Sequence, residues 1–276
     1  MHSKQSQFFS AGVIELALAS SLLCLAQTPS KAPSLLCKFA GSWKEDESRR
    51  KSSSTITFRR DAQGNLEEVL AYGTLVNPVH FDGKPYSADS LKKTEAIAWK
   101  QLDKSHFERT FFDGGKPLGT TRYQISDDGK TLTTASDRTL ADGRQNVSTG
   151  VFRRTKGEAQ GLAATWQQVS FHSSVPYRVT YEAMGDRLKV SDDRGNAYTE
   201  ALDEKPVVLG GPGLASSHTI ALKLLDAQTI RETETIKGVP TVITTSVVSA
   251  DGKVMKQTSV DPHGRRAPEV SVFEKQ

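Results

Sequence analysis

The sequence predicts an all-β protein built as two tandem antiparallel β-barrel or meander domains from an internal duplication, and three observations carry that prediction. The first is a repeat: residues 97–136 return without a gap as residues 220–259, with roughly a third of the positions identical. Sliding one copy onto the other superposes Leu102-Asp103 on Leu225-Asp226, Gly115 and Pro117 on Gly238 and Pro240, and Asp128-Gly129-Lys130 on Asp251-Gly252-Lys253. The second is alternation: Thr121, Tyr123 and Ile125 interleave with Thr120, Arg122 and Gln124, the period of two that puts one set of a strand in the core. The third is turn chemistry. Asp128-Gly129 and Asp251-Gly252 each stand between β-prone runs, where Gly takes the positive φ of a tight hairpin at no steric cost.

The elements follow in order. Residues 1–26 have the form of a secretory signal: Lys4 in a short polar head, a mostly apolar run from Phe8 to Leu25 marked by Glu15, and Cys24-Leu25-Ala26 with small residues at the cutting positions. Residues 27–36 read as a flexible segment. The first β-domain is expected over residues 37–155, with strands at 54–60, 66–72, 94–102, 106–112, 118–126, 130–137 and 146–154. Residues 156–161, polar and holding two glycines, read as a linker. The second domain is expected over residues 162–276, with strands at 178–183, 187–191, 219–225, 229–236, 241–249, 254–260 and 269–274. Residues 40–51 alone have some helical character, and Gly210-Gly211-Pro212-Gly213 reads as a loop. Strands spaced about ten residues apart, with Gly, Asp, Asn or Pro between them, mark a sandwich or barrel, and closing each half into an up-and-down barrel protects its edges.

Composition narrows the function. Charged residues make up 25% of the chain and the formal net charge is +4, spread evenly, which argues for solubility and gives no sign of nucleic-acid binding. Cutting after Ala26 leaves Cys37 as the one cysteine, so the fold must stand without an intrachain disulfide. No apolar run beyond the leader approaches membrane-spanning length. The expected location is secreted or periplasmic.

Catalytic constellations are not found. His80, His106, His172, His218 and His263 are scattered, without ligand spacing, so neither metal nor cofactor is expected. No nucleophile elbow or phosphate-cradling loop occurs, and an enzyme is the least supported class. Glu232 and Glu234, two residues apart on one strand, read as a solvated face, since their equivalents in the first copy are Arg109 and Phe111. Asn146-Val147-Ser148 fits the glycosylation acceptor pattern.

One constellation points to a family. Gly41-Ser42-Trp43 stands at the start of the first half and Phe152-Arg153-Arg154 on its last strand, which resembles the lipocalins, where a Gly-x-Trp closes one end of the barrel and an Arg from the last strand crosses the Trp ring. The second half keeps a looser version, Ala164-Thr165-Trp166 with Phe273-Glu274-Lys275, and the lipocalins' Thr-Asp-Tyr motif is absent from both halves. The chain is also similar to tandem lipocalin-like (calycin-type) secreted proteins of bacteria that carry no assigned activity. The resemblance implies Trp43 and Trp166 as structural plugs, with Arg153 or Arg154 over Trp43, and a small hydrophobic ligand in a barrel. In the first half the candidate lining is Trp99, Phe107, Phe111, Tyr123 and Ile125. The competing reading is a structural or interaction protein of the cell envelope with dry cores and no ligand.

Overall fold

A computed structural model describes residues 36–70, 75–88, 91–140, 142–211, 214 and 217–276. The expected leader, residues 1–26, and almost all of the flexible segment lie outside the described residues. The chain is all-β. Its strands are β1 (Gly41–Glu45), β2 (Thr55–Arg60), β3 (Leu66–Leu70), β4 (Leu75–Pro78), β5 (Asp82–Tyr86), β6 (Glu95–Gln101), β7 (His106–Asp113), β8 (Lys116–Ile125), β9 (Thr131–Thr139) and β10 (Gln145–Gly157). There follow β11 (Ala164–Ser173), β12 (Arg178–Met184), β13 (Arg187–Asp192), β14 (Ala197–Ala201), β15 (Val207–Val208), β16 (His218–Asp226), β17 (Thr229–Ile236), β18 (Val239–Val248), β19 (Val254–Val260) and β20 (Glu269–Lys275). The segment read as partly helical is β1 followed by a single 3-10 turn, Glu47–Arg49.

Two ten-stranded antiparallel sheets result. The first has the order β4-β3-β2-β11-β10-β9-β8-β7-β6-β5, and the second β14-β13-β12-β1-β20-β19-β18-β17-β16-β15. The two edges of the first sheet, β4 and β5, are consecutive strands joined by residues 79–81. Flat, ten strands would hold their edges roughly 40 Å apart, whereas so short a connection reaches at most about 14 Å, so the sheet must curl. In the second sheet the edges are bonded directly: the Ala197 and Gly210 amides each donate to the other's carbonyl, at 2.8 and 3.0 Å.

The sheets do not divide the chain where the polar segment 156–161 suggests. That segment lies within a hairpin: β10 pairs antiparallel with β11, Gly157 faces Ala164, and the Glu158 amide donates to the Ala163 carbonyl at 2.8 Å. A loop this short returns the chain to the sheet it has just left. Gly157 permits the turn, because its φ is +112° and a Cβ there would lie 2.5 Å from the Ala164 Cα. So β11 completes the first sheet, and β1 fills the equivalent slot in the second, between β12 and β20.

The chain therefore crosses between sheets twice. Lys51 still exchanges backbone bonds with Val270 of the second sheet, while the Ser54 carbonyl already accepts from Gln168 of the first. On the return, Ser174 donates to Val147 and Tyr177 accepts from Glu45. Asn146 braces this second crossing: its side-chain oxygen accepts from the Ser173 hydroxyl at 2.8 Å, the Ser174 hydroxyl at 3.2 Å and the Val175 amide at 3.1 Å. The residue that fits the glycosylation pattern is thus buried and bonded. Each sheet wraps its own core, one around Trp99 and Trp166 and the other around Trp43 and Tyr181.

Candidate functional site

Each sheet is plugged by the tryptophan of an interior strand, β1 between β12 and β20 and β11 between β2 and β10. Trp43 and Trp166 are both fully buried, and their indole N–H groups donate to carbonyls four residues back, Phe39 at 2.7 Å and Leu162 at 3.1 Å. A cation covers each ring. Lys275 Nζ lies 5.1 Å from the centre of Trp43 and donates to the Lys38 carbonyl at 3.2 Å. The Arg154 guanidinium lies 4.1 Å over Trp166 and donates to the carbonyls of Gly129 at 2.5 Å, Gly161 at 2.9 Å and Glu158. Burial lowers the proton affinity of both cations. The expected pairing of Trp43 with Arg153 or Arg154 is corrected: β1 belongs to the second sheet, so Trp43 meets Lys275, while Arg154 meets Trp166 and Arg153 points to solvent. Gly41 fits this geometry, with φ +126° and the Lys275 Cε 2.8 Å from where a Cβ would stand.

Above the Trp166 plug, Trp99, Phe107, Tyr123 and Ile125 are buried and Phe111 is half-buried. Four of these five expected lining residues fill the barrel themselves. Trp99 stacks tilted on Tyr123 at 5.1 Å and meets Phe58 edge-on at 5.6 Å, and Phe107 packs on Phe81 at 5.4 Å. A charged pair sits among the rings. Glu68 lies 3.7 Å from Arg109, whose guanidinium is 5.9 Å over Trp99. Burial opposes the charge on Arg109, but Glu68 and Tyr123 outweigh it and hold its proton more tightly than usual. Burial pushes the Tyr123 hydroxyl up to about 12. Glu68 Oε2, Arg109 Nε and Trp99 Nε1 are buried without a hydrogen bond among the described residues.

The open space begins where the rings stop. A cavity of about 570 Å³ is lined by Leu91, Phe111, Leu118, Leu140 and Phe171 of the first sheet, and it reaches Arg194, His218 and Ile236 of the second. Of the five expected residues only Phe111 lines it. Arg109 and Arg138 face it from the first sheet.

The second barrel carries a different polar core at equivalent positions. Glu232 takes the place of Arg109 and Ser246 that of Tyr123. The Glu232 carboxylate accepts from the Tyr198 hydroxyl, and burial pushes its pKa up to about 7 against that bond. Glu200, which accepts from the Leu222 amide at 2.9 Å, is likewise pushed up to about 7 by burial, and Glu234 is raised by burial too. Glu232 and Glu234 line a cavity of about 250 Å³ with Tyr177, Tyr181 and Tyr198. The expectation of a solvated acidic face is thereby overturned: Ile230, Glu232, Glu234 and Ile236 share the inward phase of β17.

Sequence reasoning passed over Glu68, Arg138, Arg194, Tyr198 and Glu200. The signal for two of these was a charge in the apolar phase of a strand: Glu68 between Leu66 and Leu70, and Arg138 between Leu132 and Leu140. Among the described residues no three His, Cys, Asp or Glu side chains gather closely enough to hold a metal ion. No helix among them is long and apolar enough to cross a membrane, which says nothing of strands.

No protein-family model and no curated protein matches this chain. Among solved structures, the chain is similar to a putative outer membrane protein of Bacteroides fragilis, over 88% of this chain and 99% of that one, at 8% identity and a TM-score of 0.19. A likeness so slight carries no argument about fold, location or activity.

Proposed function

We propose that this is a secreted or periplasmic tandem β-barrel protein that holds a small, largely apolar molecule at the mouth of its first barrel. The supporting observation is the cavity of about 570 Å³ above the aromatic floor, walled by Leu91, Phe111, Leu118, Leu140 and Phe171. Sites for small molecules run from about 300 to 1,000 Å³, and this one sets that apolar wall beside a polar one that includes Arg109, Arg138, Arg194 and several Ser, Thr and Asn side chains. Location rests on the leader-like residues 1–26.

A titration of the full chain with the apolar fluorophore N-phenyl-1-naphthylamine tests the reading. One saturable site is expected, and Ser148→Trp, which puts an indole into the cavity from its wall, should abolish it while leaving the melting curve intact. Absence of any saturable signal in the parent chain sinks the proposal. That outcome would favour the second reading, a structural or interaction protein of the envelope, which draws on the four expected lining residues that pack against each other.

A further inference from the structure

We infer that the ligand is an amphipathic monoanion, its head held between Arg138 and Arg194 and its apolar tail lying in the cavity against Phe111 and Leu140. The inference rests on the cavity reading above and adds the chemistry of the ligand. Arg138 projects inward from β9, and Arg194 arrives from the turn between β13 and β14 of the other sheet, so the crossed chain brings the two together. The Arg138 Nη2 lies 3.5 Å from the Arg194 carbonyl. Among the described residues neither guanidinium has a carboxylate within salt-bridge distance. Arg194 instead caps the Tyr177 ring at 4.6 Å. Half-buried and beside another cation, Arg138 is held below its usual proton affinity by burial and then by Arg194, which together outweigh the opposing pull of Asp192 and Asp193.

The other charges around the cavity are already engaged. Arg109 faces Glu68, and Asp137 binds Arg122 at 3.1 Å. Asp192 ties the turn beneath Arg194, accepting from the Arg194 and Asn196 amides at 2.9 Å and from the Tyr177 hydroxyl at 3.0 Å. Asp193 lies 3.9 Å from Arg144. Two half-buried guanidiniums with no carboxylate in direct contact, offset only by the more distant Asp192 and Asp193, cost free energy through repulsion and desolvation, and one anion accepting from both relieves that cost. A carboxylate is the simplest such head, since its two oxygens match the guanidinium fork.

Three probes of equal tail length decide the matter, each titrated into the full chain as a competitor of the fluorophore: dodecanoate, dodecan-1-ol and dodecyltrimethylammonium. Dodecanoate should bind at least about tenfold more tightly than the alcohol, and the cation should not compete. The double variant Arg138→Gln, Arg194→Gln should erase the preference for dodecanoate while keeping the affinity for the alcohol. Equal affinity for dodecanoate and dodecan-1-ol in the parent chain overturns the head-group inference and leaves the apolar cavity standing. Failure of all three probes, together with the fluorophore, removes the cavity reading itself. The parent-chain comparison decides even where the double variant does not fold.

Discussion

Arg154 lies 4.1 Å over the ring of Trp166, and Lys275 holds the same position over Trp43 at 5.1 Å, so each cation guards the tryptophan of the neighbouring strand of its own sheet. The two clamps are unequal. Arg154 ties three loop carbonyls and Lys275 one. Arg154→Ala should therefore lower stability by about 1 to 3 kcal/mol, from lost cation–π contact and stranded carbonyls. Lys275→Ala should cost less, and Arg153→Ala, at an exposed position, should stay within about 0.5 kcal/mol. Denaturant midpoints rank the three. Equal effects at 153 and 154 would contradict the clamp.

The plugs themselves should matter most. Trp43→Ala and Trp166→Ala each remove a fully buried indole and its hydrogen bond, a loss on the order of 3 to 5 kcal/mol. Because Trp43 stands in the second sheet, its loss should loosen amide-exchange protection in β12 and β20 before it reaches β7 or β8. Protection lost first in β7 and β8 would place the plug in the wrong barrel.

Strand exchange makes a sharper prediction about fragments. Residues 52–176 contain every strand of the first sheet, β2 to β11, in one continuous piece. Such a fragment should fold alone and melt cooperatively. Residues 162–276 lack β1 and carry β11 without its partners, so that fragment should remain unfolded or aggregate, with the edges of β12 and β20 exposed. If residues 162–276 fold by themselves, the exchange does not hold in solution.

How much of this was legible follows from what each interaction leaves in the sequence. Period-two alternation and Asp-Gly turns are local, so β7, β8, β9 and their counterparts stand close to where the pattern places them. β1 and β11 left weaker traces. Residues 41–45 run into Lys44-Glu45-Asp46-Glu47, whose charges obscure the strand, and the glycines at 157 and 161 suit a hairpin as well as a linker. Partner choice is a non-local property: either sheet could receive β1, and the decision comes from the length of the loop after β10. The cavity was hidden for a related reason. Aromatic residues suggested a pocket lining, but size and shape let Trp99, Phe107 and Tyr123 fill the barrel, and the open space fell one layer higher.

Export gives a chemical test. The sequence holds two cysteines, Cys24 and Cys37. Cutting after Ala26 removes Cys24 and leaves Cys37 as a thiol. Protein recovered from its native compartment should begin at or near Gln27 and carry one alkylatable thiol, read together by intact mass. A chain that starts at Met1 and resists alkylation without reductant would show the leader retained.

The buried acids of the second barrel make stability depend on pH. In the unfolded chain the Glu232 carboxyl titrates near 4.5, and in the folded barrel at about 7. Between those values the folded state binds more protons than the unfolded one, so stability declines as pH rises through this window and stays lowered above it. The loss from Glu232 is on the order of 3 kcal/mol, and Glu200 acts in the same direction. Glu232→Gln keeps an acceptor for the Tyr198 hydroxyl but never ionises. The variant should be more stable than the parent at pH 8 and lose that advantage at pH 4.5, which urea midpoints at the two values measure directly. An advantage independent of pH would mean that Glu232 stays ionised in the barrel or never enters it.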